Sequence, residues 1–185
     1  VKNAIDQLIQ SNPDASRYGI VLEYQLPYDG RRPDFILLAH DSIIVLEFKG
    51  KHIPYNSDLD QVAAYARDLR AYHRDCHNKK VIPILVLTGG SGKDEELDGV
   101  VVSNPENLHD VITKFSGNPS ENQISLNDFT DIGAYSPLPT LVAAARELFE
   151  SKTIREIWRA KSATDPAVLA INQIAHNAAE SKTRH

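Results

Sequence analysis

The chain contains no methionine, one tryptophan and a single cysteine, Cys76, in 185 residues. A lone cysteine excludes an intrachain disulfide and fits a reducing compartment, so the expected location is the cytoplasm. No apolar run approaches the ~18 residues needed to cross a bilayer, so neither a spanning helix nor membrane partnership is expected. An excess of basic charge is also missing. The formal net charge is −5 and the isoelectric point about 5.8. A general basic coat for nucleic acid is thereby excluded, and a polyanion must be held by a local patch or a metal. The start, Val1-Lys2-Asn3-Ala4-Ile5-Asp6, has no apolar core or small-residue cleavage site and does not read as a signal peptide. Beginning on Val1, with no methionine anywhere, the sequence is expected to be a fragment of a larger protein. No internal repeat or low-complexity tract is evident. With 42% hydrophobic and 24% charged residues the composition is that of an ordinary globular domain.

Ala4, Ile5, Leu8 and Ile9 recur at helical spacing, which predicts a short helix over 3–10, broken by Asn12-Pro13-Asp14. Three apolar segments follow: Ile20 to Leu26, Asp34 to Ala39 and Ile43 to Phe48. Turn residues separate them, Asp29-Gly30 and then His40-Asp41-Ser42. Such short connections predict an antiparallel meander. Ser57-Asp58-Leu59-Asp60 has the form of a helix start. Leu59, Val62, Ala66, Leu69 and Cys76 then mark one stripe of a helix over 58–76. Val81 to Leu87 reads as a strand, with Pro83 near its start or at a sheet edge. Thr88 to Gly99 reads as a loop, Gly99 to Ser103 as a short strand, and Pro105 as the first position of a helix reaching Phe115. Residues 116–136 look irregular. Leu141, Val142, Ala145, Leu148 and Phe149 mark a further helix, with more helix over 153–160 and 165–180. The expected organisation is an α/β domain over 1–135, built on a central mixed sheet flanked by helices, followed by a helical extension over 136–185.

The chemistry concentrates between Glu23 and Gln61. Residues two apart on a strand share a face, so Glu47 and Lys49 point together at the end of the apolar run Ile43-Ile44-Val45-Leu46. A tight turn near His40-Asp41 would bring Asp34 beside Glu47. Two carboxylates 4 Å apart repel by about 4 kcal/mol at an effective dielectric of ~20. A divalent cation relieves that repulsion, and hard oxygen donors with open water positions suit Mg²⁺ or Mn²⁺.

This pattern resembles the PD-(D/E)xK, or restriction-endonuclease-like, nuclease superfamily. Pro33-Asp34 matches its first signature and Glu47-Phe48-Lys49 its second, and the order of elements matches its αβββαβ core. Gln61 with Tyr65 one turn later matches the Q-x-x-x-Y element of RecB-like members. The phrases Gly30-Arg31-Arg32-Pro33-Asp34, Val45-Leu46-Glu47-Phe48-Lys49-Gly50 and Asp60-Gln61-Val62-Ala63-Ala64-Tyr65 resemble the amino-terminal part of bacterial proteins that continue into a P-loop ATPase of helicase or Schlafen-like type. The resemblance implies a metal-dependent nuclease acting on DNA, with that ATPase as a downstream domain of the same polypeptide. It implies Asp34 and Glu47 as metal ligands, completed by the backbone carbonyl of Phe48. It also implies Glu23, on the first strand, as a further acidic ligand, directly or through water, with Asp6 on the first helix as a rival. Lys49 would orient the attacking water or neutralise the phosphate, and Gln61 would position water or strand. The alternative expectation is a module of the same fold that binds nucleic acid or docks a partner, itself or as a homo-oligomer, without cutting.

Other features point elsewhere. Over 61–80, Arg67, Arg70, Arg74, Lys79 and Lys80 face only Asp68 and Asp75, which suggests a phosphate-contacting helix face or a solvated one. Lys152, Arg155, Arg159 and Lys161 form a similar cluster. Thr88-Gly89-Gly90-Ser91-Gly92-Lys93 lacks the first glycine and the final Ser/Thr of a phosphate-binding loop, having Leu87 and Asp94 there. His73, Cys76 and His77 lack a fourth zinc ligand.

Overall fold

The computed structural model describes residues 2–27, 30–119, 123–137, 146, 149 and 150. Most of the predicted extension, including the second basic cluster, and Asp29 of the first turn lie outside the described residues.

Lys2–Ser11 forms α1, and a 3₁₀ turn over Pro13–Arg17 follows at the predicted break. The meander comprises β1 (Gly19–Leu22), β2 (Phe35–Leu38) and β3 (Ser42–Lys49), each antiparallel to the next. β1 is shorter than the predicted Ile20 to Leu26. Glu23 takes a left-handed conformation (φ 50°) that ends the strand. Gly19 opens β1 where a Cβ would stand 3.1 Å from the Leu38 side chain, so β1 and β2 meet there without room for a side chain.

The helix α2 (Asn56–Tyr72) carries the chain from β3 to β4 (Lys80–Leu87), which lies parallel to β3. It starts two residues before the predicted position. The Asp58 carboxylate accepts the Tyr55 N–H (3.2 Å), serving as the acid of a first turn capped at Tyr55. It also ends before residue 76, at His73, whose extended backbone breaks the helix and leads into a short 3₁₀ turn over Arg74–Cys76.

β4 is central, not an edge, despite Pro83. The Thr88 N–H bonds the Lys49 carbonyl (2.9 Å), so by alternation the even-numbered amides of this segment face β3. Pro83 therefore turns its missing donor toward β6 (Val100–Ser103), where pairing starts only at Ile84. Within the predicted loop a further strand, β5 (Glu95–Leu97), pairs with β6 through Asp98-Gly99. Both turn residues have positive φ (50° and 76°), as a two-residue hairpin requires. The helix expected from Pro105 begins at Leu108 instead (α3, Leu108–Phe115). The Asn104 side chain accepts the N–H groups of Glu106 and Asn107 (2.9 and 3.2 Å), holding a turn ahead of the helix. A single-turn helix, α4 (Leu126–Phe129), capped by Ser125, interrupts the predicted irregular stretch.

The result is an α/β fold on a six-stranded mixed sheet of order β1-β2-β3-β4-β6-β5. Strand alternation gives it two cores. Ile43, Val45, Val81, Leu85, Leu87, Val100 and Val102 face the α2 stripe of Leu59, Val62, Ala66 and Leu69. Ile44, Leu46, Ile84, Val86 and Val101 face α1 and α3 through Leu8, Leu108, Val111 and Ile112. Among the described residues no helix is long and apolar enough to cross a membrane.

Candidate active site

The β2–β3 register pairs Phe35 with Leu46, and the next step sets Asp34 opposite Glu47. Both lie on the α2 face, because Glu47 and Lys49 continue the alternation of Ile43 and Val45. The two acids meet through the main chain. The Asp34 N–H points at Glu47 Oε2 (3.4 Å), and Asp34 Oδ2 accepts the Phe48 N–H (2.8 Å). A side chain thus takes the place of a backbone acceptor where the ladder frays. One step further, Pro33 would face Phe48. Proline has no N–H, so the ladder offers the Phe48 carbonyl no donor from that residue.

Glu47 is 3% exposed and is held from three sides. Its Oε1 accepts from Lys49 Nζ and from Gln61 Nε2, both at 3.0 Å. Gln61 Oε1 accepts from the same Lys49 Nζ (3.0 Å), and Gln61 Nε2 also donates to the Tyr65 hydroxyl (3.0 Å). That hydroxyl donates to the Arg32 carbonyl (3.4 Å), two residues before Asp34. The i, i+4 spacing of Gln61 and Tyr65 lets one face of α2 reach both signature segments.

Burial raises the Glu47 pKa, and the neighbouring Asp34 charge adds to it, against the lowering effect of Lys49. Burial alone would lower the Lys49 pKa, but its hydrogen bond to Glu47 and the surrounding carboxylates leave it raised. Lys49 therefore stays an ammonium at neutral pH, whereas burial disfavours the charged form of Glu47 despite that ammonium. A divalent cation between Asp34 and Glu47 would favour the charged form. The donor set fits a hard cation: two carboxylates and a carbonyl left open by Pro33, with remaining positions for water and phosphate oxygens.

The remaining acids stand apart. The Glu23 N–H bonds the Asp34 carbonyl (2.9 Å), but its carboxylate pairs with Arg32 (2.6 Å). Asp6 is exposed on α1, across the sheet from Glu47. Among the described residues no group of three His, Cys, Asp or Glu side chains is placed to hold a metal. Any cation here rests on the Asp34–Glu47 pair, the Phe48 carbonyl and water.

One constellation escaped the sequence reading. Lys51 Nζ donates to both Asp58 oxygens (3.0 and 2.7 Å) and lies 3.9 Å from the centre of the Tyr55 ring. Burial would raise the Asp58 pKa, but Lys51 and the Tyr55 N–H hold it below the usual value. The pair ties the β3–α2 connection to the first turn of α2. Its signal was the Asp58 of the helix start, with Lys51 seven residues upstream. The basic face expected over 61–80 is largely occupied. Arg67 pairs with Asp68, Arg70 donates to the Val81 carbonyl, and Arg74 pairs with Asp75 and Asp131.

Among the described residues His73, Cys76 and His77 form no group placed to hold a metal, and His73 is committed to the fold. His73 is fully buried and stacks on Phe129 with ring centres 4.1 Å apart. Its Nδ1 accepts the Asp75 N–H (3.3 Å), which leaves Nε2 as the donor to the Phe129 carbonyl (3.0 Å). Neither nitrogen is left for a ligand.

No protein-family model, curated protein or solved structure matches this chain. The fold and the side-chain geometry therefore carry the functional argument.

Proposed function

We propose that this chain is a divalent-metal-dependent nuclease domain of PD-(D/E)xK type that hydrolyses phosphodiester bonds, with DNA as the substrate class. The observation that carries the reading is the registered pair Asp34–Glu47, with Lys49 and Gln61 both bonded to Glu47. A buried carboxylate beside a second one is a costly arrangement that cation binding would make useful.

In this reading Asp34, Glu47 and the Phe48 carbonyl hold Mg²⁺ or Mn²⁺. The bound ion supplies Lewis acidity toward a phosphate oxygen and a water of lowered pKa. Lys49, kept protonated, donates to the phosphate oxygens as negative charge builds on them; it is not a proton acceptor. Gln61, fixed by Glu47 and Tyr65, presents its amide to the attacking water or the strand. Asp34 keeps its carboxylate oriented through the Phe48 amide, so its geometry is preorganised.

The second reading is a module that binds or docks without cutting. The closed Glu47–Lys49–Gln61 network favours it, since such a network can be purely structural. Two measurements separate them. The first is cleavage of labelled single- and double-stranded DNA and RNA with Mg²⁺, Mn²⁺ or EDTA, with wild type beside Glu47→Ala. The second is thermal melting against metal concentration. At a hundredfold excess over Kd, linkage stabilises by about 2.7 kcal/mol, or roughly 5–10 °C for a chain of this size. Asp34→Asn should remove that shift. Metal-dependent cleavage that survives in Glu47→Ala refutes the nuclease site. A flat metal titration with no cleavage favours the non-cleaving module. The resemblance also implies a P-loop ATPase domain as partner, so cleavage is measured with and without such a domain supplied.

A further inference from the structure

The sheet has two edges, β1 and β5, and they differ in chemistry. β5 opens on Glu95 and Glu96, both exposed, and acids on an edge repel a second copy of the same edge. β1, Gly19-Ile20-Val21-Leu22, carries no charge, no proline and no break in its register with β2. Its Ile20 and Leu22 side chains belong to residues that are 41% and 57% exposed.

The ladder decides which backbone groups of β1 are free. The Glu23 N–H bonds the Asp34 carbonyl, so Gly19, Val21 and Glu23 turn their N–H and C=O groups toward β2. Those of Ile20 and Leu22 point outward, and among the described residues they have no partner. Ile20 also lines an apolar cavity of about 130 Å³ under α1, with Ile5, Ile9, Tyr18 and Phe35. Leu22, two positions on, shares that face. Exposed apolar side chains thus run along an unpaired edge, which is the arrangement that takes up another strand.

The edge is complementary to itself. Its two outward residues stand on either side of Val21. A two-fold axis through Val21 sets Ile20 opposite the partner's Leu22, antiparallel, and the reverse on the other side. Each such pair exchanges two backbone hydrogen bonds, and its two side chains meet on the α1 face. Arg17 and Glu23 flank the strand and are opposite in sign, Glu23 being already paired with Arg32. The two-fold therefore sets no like charges face to face along β1.

We propose that β1 is the interface of a homodimer, in which two copies pair antiparallel about Val21 and join their sheets. The proposal is independent of the nuclease reading. The axis stands perpendicular to the sheet, so both α2 faces, each with its Asp34–Glu47 pair, lie on the same side of the dimer.

The test is sedimentation equilibrium of the full chain from about 10 µM to about 1 mM, with amide hydrogen exchange followed by NMR at both ends of that range. The mass should climb from that of one chain, 20.6 kDa, toward twice that value. The Ile20 and Leu22 amides should exchange more slowly as concentration rises. The Glu96 amide, which faces outward on the β5 edge, should stay fast throughout. Leu22→Lys sets an ammonium beside the partner's Ile20 and should weaken association by about tenfold or more. Leu22→Pro removes an outward N–H but no bond to β2, and should also weaken it. Ile53→Lys, at an exposed isoleucine beyond β3, adds the same charge and should leave the mass unchanged. A wild type that keeps the one-chain mass throughout overturns the dimer; edge amides protected at every concentration would then assign β1 to a later segment of the same chain. A dimer that persists in both Leu22 variants, or whose Ile20 and Leu22 amides stay fast, overturns the β1 interface. Should neither variant fold, exchange in the wild type decides alone.

Discussion

Acid should loosen this fold through one histidine. His73 is fully buried, and burial pushes its pKa down from 6.5 to about 4, against the raising effect of its bond to the Phe129 carbonyl. The folded state thus keeps His73 neutral at a pH where the unfolded chain has protonated it. Its contribution is fully present above pH 6.5 and is lost as pH falls toward 4. The gap between those two values, at 1.36 kcal/mol per unit, corresponds to about 3 kcal/mol. That is a large share of the stability of an ordinary domain. Urea unfolding of wild type and His73→Gln at about pH 7 and about pH 4.5 isolates the effect, because carboxylates shared by the two proteins largely cancel. Glutamine should cost stability at neutral pH through the lost stack and the lost Asp75 contact. The wild-type advantage should then shrink by about 2–3 kcal/mol in acid. An advantage that stays constant across that range would refute the assignment of a neutral, buried imidazole.

Two further outcomes follow from the geometry. Tyr65→Phe removes the hydroxyl that joins Gln61 to the Arg32 carbonyl; it should cost about 1 kcal/mol in urea unfolding and lower cleavage without abolishing the metal-induced rise in melting temperature. Gly99→Val places a β-branched side chain at φ 76° in the β5–β6 turn, where no atom crowds the new Cβ, so strain alone should cost about 1–2 kcal/mol, read as a drop of a few degrees in Tm.

Periodicity made most of the fold legible. The meander, α2 with its Leu59–Val62–Ala66–Leu69 stripe, and β4 all stand where alternation or helical spacing set them. What escaped was decided by side chains acting on local backbone. Asn104 delays α3 by bonding the amides of the next turn, and Asp58 moves the α2 start forward. β5 is short and opens on two exposed acids, Glu95 and Glu96, so no apolar alternation announced it. Asp98-Gly99 was the available signal, as a two-residue hairpin dipeptide. In the candidate site, Asp34, Glu47 and Lys49 were legible because strand parity and a tight turn force them together, while Gln61 was marked only by the resemblance of its spacing to Tyr65. The carboxylate of Glu23 was not. Its parity on an assumed longer β1 said nothing of the left-handed residue that ends the strand or of the Arg32 side chain that claims it.

The bond from the Phe48 amide to Asp34 has a consequence for timing. Because a proposed ligand doubles as a main-chain partner, the first hydrogen bond to part when β2 peels from β3 at its Pro33 end is also the one that aims Asp34. Fraying of that corner and loss of cation-binding geometry are one event, and an ion seated there would act as a rivet for the sheet.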